Sequence, residues 1–337
     1  MDTALLEACI LQLIKTNQDS TSAHVAEHHG VPSAEELVKM KASRFPTRIT
    51  GAIDHFGAME RWSASYFRHT MGSATVTCAV TPTGEADSVQ GDYFVQPFQA
   101  RCTMNSMLDW IAEPKGNVRY LQLQNGSLQL EFQALQADVE PNGPYWAASV
   151  FGEGPLANIW IGNHSSRTSL HSDSFENLFC QIRGSKRFTL YPPHEYHLLN
   201  EAEYTMASYM PTEGEDGLQG TLNIVPDTPV GKIPWLQPPE PPHPKARPIH
   251  VILGPGETLY LPPLWFHEVQ QIDDPDDGLC CSVNYWYDMD YLDGSWAQWK
   301  FLRKISLLAR GMNALCAQEL AEEEDDDDGT ASSQAVH

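Results

Sequence analysis

The sequence lacks several features that would assign it to common protein classes. No run of roughly 18 consecutive apolar residues is present, which a transmembrane helix would require. Residues 1–7 show neither the basic segment nor the apolar core of a signal peptide. There is no GxGxxG or phosphate-binding loop and no HExxH, and the seven cysteines form no CxxC pair, so dinucleotide binding and zinc peptidase chemistry have no support. We expect a soluble intracellular protein without a membrane partner, located in the cytoplasm with the nucleus as a second location.

Basic residues are also scarce. The chain has 21 Lys and Arg against 44 Asp and Glu, which gives a formal net charge of −23. Without the seven carboxylates of residues 322–328 the charge is still −16. Such a surface repels phosphate backbones, which argues against direct nucleic-acid binding. It favours a cationic partner, such as a basic or lysine-containing protein substrate.

The pattern of apolar residues predicts a mainly β fold. Many short β-branched segments occur without βαβ alternation, which favours a double-stranded β-helix of the jelly-roll or cupin kind, with helices at both ends. We expect four parts: an N-terminal helical segment (1–43), the β domain (44–293), a C-terminal helix (294–320) and an acidic disordered tail (321–337). Residues 177–182 and 186–191 are predicted to be two strands joined by a short glycine turn. Residues 194–248, which are acidic and then proline-rich, are predicted to be a lid or a disordered loop.

Three residues are candidates for a metal centre. In an extended backbone His171 and Asp173 point to the same face. An imidazole and a carboxylate are two of the three ligands of a 2-His-1-carboxylate Fe(II) site. His267, which follows the apolar segment 260–266, is the best candidate for the third. Three protein ligands leave room for a bidentate 2-oxo acid and for dioxygen.

A dicarboxylic 2-oxo acid needs a buried cation for its second carboxylate. Lys186 is the candidate, although a lysine at this position, taken alone, is more often an ordinary exposed lysine at a strand end. Thr168 and Tyr120 can supply hydroxyls to the same carboxylate, and Asn177 and Asn284 lie on predicted strands near the metal. Tyr120 could also be a core aromatic residue.

Taken in order, these segments resemble the JmjC (Jumonji C) 2-oxoglutarate oxygenases, and within them a lysyl hydroxylase branch. The motifs are His171-Ser-Asp173, Asn177, Gly184-Ser-Lys186-Arg-Phe, Leu261-Pro-Pro-Leu-Trp-Phe-His267 and Val283-Asn284-Tyr-Trp286-Tyr-Asp288-Met. The resemblance covers about residues 45–300.

The resemblance implies Fe(II) bound by His171, Asp173 and His267, with 2-oxoglutarate and O2 as co-substrates. Lys186 and Thr168 would hold the distal carboxylate with help from Tyr120. Asn177 and Asn284 would line the pocket, and Trp286 would form a wall. Phe179 stands where we expect a tyrosine in animal members, so one hydroxyl contact to the co-substrate is in doubt. The resemblance also implies a homodimer through terminal helices, but the apolar stripe between Trp296 and Met312 could equally pack against its own domain.

The sequence therefore predicts a 2-oxoglutarate-dependent protein hydroxylase acting on a lysine side chain. A lysine demethylase remains open, because the metal site is the same for both reactions. A non-catalytic cupin binding module is the third hypothesis, and it would have no need of His171, Asp173, His267 and Lys186 together.

Overall fold

The computed structural model describes residues 2–237, 239 and 241–317, so the acidic tail predicted for 321–337 lies outside the described residues. Strands make up most of the regular structure. Their bounds are Ala26–His29 (β1), Thr47–Thr50 (β2), Thr75–Thr81 (β3), Glu85–Ala86 (β4), Ser88–Gln90 (β5), Tyr93–Gln96 (β6), Phe98–Thr103 (β7), Val118–Tyr120 (β8), Leu156–Gly162 (β9), Arg167–His171 (β10), Phe175–Arg183 (β11), Ser185–Tyr191 (β12), Glu201–Pro211 (β13), Leu222–Pro226 (β14), Lys232–Leu236 (β15), Ile249–Leu253 (β16), Glu257–Leu261 (β17), Phe266–Ile272 (β18) and Cys280–Asp288 (β19).

The helices lie at both ends of the chain and in the segment between β2 and β9. Their bounds are Thr3–Ser20 (α1), Ala34–Ser43 (α2), Ala58–Arg61 (α3), Ala64–Met71 (α4), Met104–Ala112 (α5), Ser127–Leu130 (α6), Ala148–Phe151 (α7) and Ser295–Ala309 (α8). A capping box begins α2, because Ser33 and Glu36 each bond the other's backbone N–H. None of these described helices has both the length and the apolarity to cross a bilayer.

Two sheets face each other and confirm the predicted jelly roll. The larger sheet has the order β1-β2-β17-β11-β19-β9, and the smaller one has the order β16-β12-β18-β10-β4. A buried apolar layer lies between them. Its members are Tyr120, Trp160, Phe179, Phe188, Leu190, Ile249, Val251, Leu253, Leu259, Leu261, Trp265 and Val269. A second cluster, on the outer face of the larger sheet, packs against α3, α4 and α5.

Residues 177–182 and 186–191 both lie in strands, as predicted, but the two strands do not pair with each other as a hairpin. β11 pairs with β17 and β19, whereas β12 pairs with β16 and β18 in the other sheet. The chain crosses from one sheet to the other at Gly184, which has φ +63°. An added Cβ there would lie 2.7 Å from the Ile272 carbonyl oxygen and 2.8 Å from that of Leu279. Gly184 is therefore required at a sheet corner and not at a hairpin turn.

The prediction of a disordered loop for residues 194–248 is wrong for the part that forms β13, β14 and β15. β13 forms the centre of a further sheet, pairing with β14 and β15 on one side and with β6 on the other. Pro226 and Pro234 lie in β14 and β15, which are edge strands in this sheet. An edge strand tolerates proline because one row of its N–H groups has no ladder partner.

The C-terminal helix packs, at least in part, on its own chain. Leu302 of α8 is buried with Ile10 and Ile14 of α1, and Arg303 forms a buried ion pair with Glu201. Phe301 remains 65% exposed. The homodimer predicted from this apolar stripe stays a prediction.

Candidate metal centre

The structure brings His171, Asp173 and His267 together at one end of the smaller sheet. His171 is the last residue of β10 and lies directly opposite His267, the second residue of β18. β10 ends at His171, so Asp173 lies beyond the strand and is not placed by side-chain alternation as we expected. Instead the backbone N–H of Leu264 donates a 2.8 Å hydrogen bond to the Asp173 carbonyl. This bond fixes the Asp173 loop beside the segment that leads into β18.

The three side chains have the geometry of a metal site. His171 Nε2 lies 3.8 Å from Asp173 Oδ1 and His267 Nε2 lies 3.6 Å from Asp173 Oδ2. One ligand atom from each residue falls within 4.8 Å of the others. In the part of the chain that the structure describes, no second group of three such side chains has this geometry.

Both imidazoles are held in the tautomer that a metal requires. Nδ1 of His171 lies 2.8 Å from the Ser169 carbonyl and Nδ1 of His267 lies 3.0 Å from the Trp265 carbonyl. A carbonyl only accepts, so each Nδ1 carries the proton and each Nε2 has a free lone pair. Burial, helped by the neighbouring His171, lowers the pKa of His267 to about 4. His267 is therefore neutral at pH 7, which is the form that binds metals.

Lys186 is a buried cation near this centre. It is only 1% exposed, so the alternative of an exposed strand-end lysine is wrong. Its Nζ donates a 3.0 Å hydrogen bond to the hydroxyl of Tyr120 and lies 4.9 Å from the centroid of the Phe179 ring. No carboxylate among the described residues forms an ion pair with it. Burial lowers the pKa of Lys186 to about 8, so the ammonium form predominates at pH 7 and would be stabilised by an anionic ligand.

The two predicted asparagines form one hydrogen-bonded chain with a tryptophan. Asn284 Nδ2 donates to Asn177 Oδ1 at 3.1 Å, and Trp160 Nε1 donates to Asn284 Oδ1 at 2.8 Å. The Trp160 ring centroid lies 5.7 Å from Lys186 Nζ. Trp160 thus connects the asparagines to the cation, a role that the sequence analysis missed. In β9, Asn158 and Trp160 alternate with Ile159 and Ile161. This alternation could have indicated that Trp160 faces the barrel interior.

Gln271 is a second residue that the sequence analysis missed. It lies directly opposite Lys186 across the β12–β18 pair. Its Nε2 donates to the Ser166 carbonyl at 3.3 Å, while its Oε1 is buried without a partner among the described residues. Gln271 stands four residues after His267, on the same face of the strand. This spacing could have identified it from the sequence.

Thr168 and Trp286 are the two remaining candidates. Thr168 is half-buried on β10, paired with Val269, and a register shift separates it from His171. Trp286 is paired with Asn177 across β11 and β19 and is 6% exposed. Its ring stacks on Phe175 at a centroid distance of 5.0 Å.

A jelly roll that carries two histidines and one carboxylate on adjacent strand ends defines a cupin with a mononuclear metal centre. Residues 32–293 match the family model described as a cupin-like domain.

Curated relatives are similar over most of the chain. The human protein named bifunctional peptidase and (3S)-lysyl hydroxylase JMJD7 is 39% identical over 258 residues, which cover 73% of this chain and 78% of the relative. The Arabidopsis thaliana protein named lysine-specific demethylase JMJ32 is 32% identical over 305 residues, 84% and 86% of the two chains. The Dictyostelium discoideum JmjC domain-containing protein E is 31% identical over 295 residues, 77% and 83%.

The chain therefore belongs to the JmjC group of the cupin-like family. Membership implies a 2-oxoglutarate-dependent dioxygenase that uses Fe(II). The residues fit this metal, because two imidazoles and one carboxylate are the donor set of non-haem Fe(II) oxygenases.

Proposed function

We propose that the protein is an Fe(II)- and 2-oxoglutarate-dependent hydroxylase of a lysine side chain in a protein. The observation that carries the proposal is the joint presence of the His171, Asp173 and His267 cluster and a buried Lys186 with no carboxylate partner among the described residues. A binding module would gain nothing from keeping a desolvated cation beside an oxygenase-type ligand set, because burying it costs free energy.

The chain's own residues bind and orient the reactants. His171, Asp173 and His267 would hold Fe(II), and Lys186, supported by the Tyr120 hydroxyl, would hold the distal carboxylate of 2-oxoglutarate. Thr168 would help Lys186 to hold the same carboxylate. When bound, Fe(II) with 2-oxoglutarate and O2 supplies an oxidant that inserts oxygen into a C–H bond, with succinate and CO2 as co-products. The apolar layer around Phe179 and Leu259 would keep water from the part of the pocket next to Lys186.

The choice of a lysine side chain rests on two supports. The net charge of −23 favours a cationic protein partner, and one relative is named a lysyl hydroxylase. The Arabidopsis thaliana relative is named a lysine demethylase, so demethylation is the second candidate. It would use the same metal centre on an N-methyl carbon.

Mass analysis of candidate substrates distinguishes the two reactions. Basic proteins and peptides that contain methyllysine are incubated with the purified chain, Fe(II), 2-oxoglutarate and O2. We expect the gain of one oxygen atom on a lysine residue, whereas demethylation would give the loss of one CH2 group. Asp173→Ala, which removes one ligand, serves as the inactive control together with a reaction lacking 2-oxoglutarate. Equal turnover of 2-oxoglutarate by Asp173→Ala and the wild type would contradict the proposal.

A further inference from the structure

The end of the larger sheet next to the metal centre carries an aromatic wall and an acidic side chain. Phe175 and Trp286 stack with an interplanar angle of 8°. In the register of β11 and β19, Trp286 lies opposite Asn177 and Asp288 lies opposite Phe175. Because alternate residues share a face, these four side chains lie on the same face as Asn284, towards the barrel interior.

This wall begins at the metal centre. Phe175 follows the ligand Asp173 by two residues, and Asn177, opposite Trp286, accepts a hydrogen bond from Asn284 in the pocket. His171 and Asp173 each have a side chain that is 20% exposed, so solvent reaches the cluster. From the Asn177 row to the Phe175 row the strand advances by about 7 Å. Asp288 therefore lies one row further from the pocket, at the rim.

Two polar groups on the wall have no partner among the described residues. Trp286 is only 6% exposed, and its Nε1–H is buried without an acceptor. A buried donor of this kind costs free energy unless a ligand supplies the acceptor. Asp288 is exposed, and its carboxylate forms no ion pair or hydrogen bond within the described part of the chain.

We propose that this wall is the binding site for the substrate's lysine side chain, with Asp288 as the residue that selects its ammonium group. The inference rests on the proposed function and names the specificity determinant of that site. The apolar stem of lysine packs along the Phe175 and Trp286 rings, and the ammonium pairs with the Asp288 carboxylate. The indole N–H of Trp286, one row nearer the pocket than Asp288, is left without an acceptor among the described residues and is available to the bound substrate.

Binding of matched peptides tests the role of Asp288 without relying on turnover. A short lysine peptide is compared by calorimetry with its norleucine twin, which keeps the carbon chain and lacks the ammonium. We expect the wild-type chain to bind the lysine peptide about fivefold more tightly, the upper range for a partly exposed ion pair. Asp288→Asn should bind the two peptides equally, with the norleucine affinity unchanged.

Glu213→Gln is the matched control, because Glu213 is an exposed carboxylate on the turn between β13 and β14, in a different sheet from this wall. It should keep the wild-type preference. A preference that survives in Asp288→Asn, or no preference in the wild type, would overturn the inference. Selective binding without any lysine hydroxylation would support the site and contradict the proposed reaction, so the two failures are distinguishable.

Discussion

The ammonium group of Lys186 lies 3.0 Å from the Tyr120 hydroxyl, inside an apolar layer where no described carboxylate pairs with it. Desolvation makes such a cation costly for the folded protein. We interpret the buried cation as a binding site for an anion from solution, which would offset this cost.

Lys186→Met tests this arrangement, because methionine fills a similar volume without the charge. We expect the KM for 2-oxoglutarate to rise by about 10- to 100-fold, the equivalent of losing one charge-assisted contact. Thermal stability should stay the same or increase, because an unpaired buried charge is removed. Enzyme assays and thermal unfolding are the measurements. Lys115→Met, at a lysine whose side chain is 66% exposed, should change neither quantity, and an unchanged KM in Lys186→Met would contradict the assigned role.

Part of this site could be predicted from the sequence, and the reason is the spacing of its chemical groups. His171, His267 and Lys186 are unusual residue types within apolar strands, and Asp173 follows His171 by two residues, so these residues can be recognised without coordinates. Their placement was less predictable. Asp173 is positioned by a hydrogen bond from Leu264, a residue distant in sequence with φ +69°, and no local pattern encodes such a contact.

The errors in the fold prediction have a similar cause. A glycine between two apolar strands indicates a turn, but it does not say whether the second strand returns to the first or passes to another sheet. At Gly184 the chain passes to the other sheet, and the carbonyls of Ile272 and Leu279 leave no space there for a side chain. The acidic and proline-rich composition of residues 194–248 indicates a loop, but composition does not show that strands containing proline, such as β14 and β15, can lie at a sheet edge.

The pH dependence of co-substrate binding follows from Lys186. Its pKa of about 8 means that the cation is lost as the pH rises above that value. We expect the KM for 2-oxoglutarate to rise between pH 7.5 and 9.5, by up to about tenfold per pH unit above the pKa. Lys186→Met should have a higher KM with no such rise. A flat profile in the wild type would show that Lys186 does not hold the anion.

The lowered pKa of Lys186 also makes the free energy of unfolding depend on pH. Because folding lowers the pKa of Lys186 from 10.5 to about 8, the unfolded chain binds more protons between these values. The free energy of unfolding should therefore rise with pH across this interval in the wild type relative to Lys186→Met. Denaturant unfolding of both chains without co-substrate measures the difference, and parallel profiles would contradict the lowered pKa.

Phe179→Tyr tests the missing hydroxyl. The Phe179 ring centroid lies 4.9 Å from Lys186 Nζ, so a tyrosine hydroxyl would enter the predicted carboxylate site. One added hydrogen bond of about 1 kcal/mol should lower the KM for 2-oxoglutarate about fivefold. Phe188→Tyr is the control, because Phe188 packs edge-on against Phe179 and is 1% exposed. That variant should lose stability without lowering the KM. Equal effects of the two substitutions on the KM would argue against a specific contact from position 179.

Gly184 offers the sharpest test of the sheet crossing, because Gly91 provides a matched control with the same φ of +63°. An alanine at either position must adopt a left-handed backbone conformation, which costs about 1–2 kcal/mol. At Gly91 nothing lies within 4 Å of an added Cβ, whereas at Gly184 two backbone carbonyl oxygens lie within 2.8 Å. Backbone atoms of two packed strands cannot give way cheaply, so Gly184→Ala should lose about 1–3 kcal/mol more than Gly91→Ala. Denaturant unfolding of the two variants measures this difference directly, and equal losses would mean that the corner relaxes and does not constrain the path from β11 to β12.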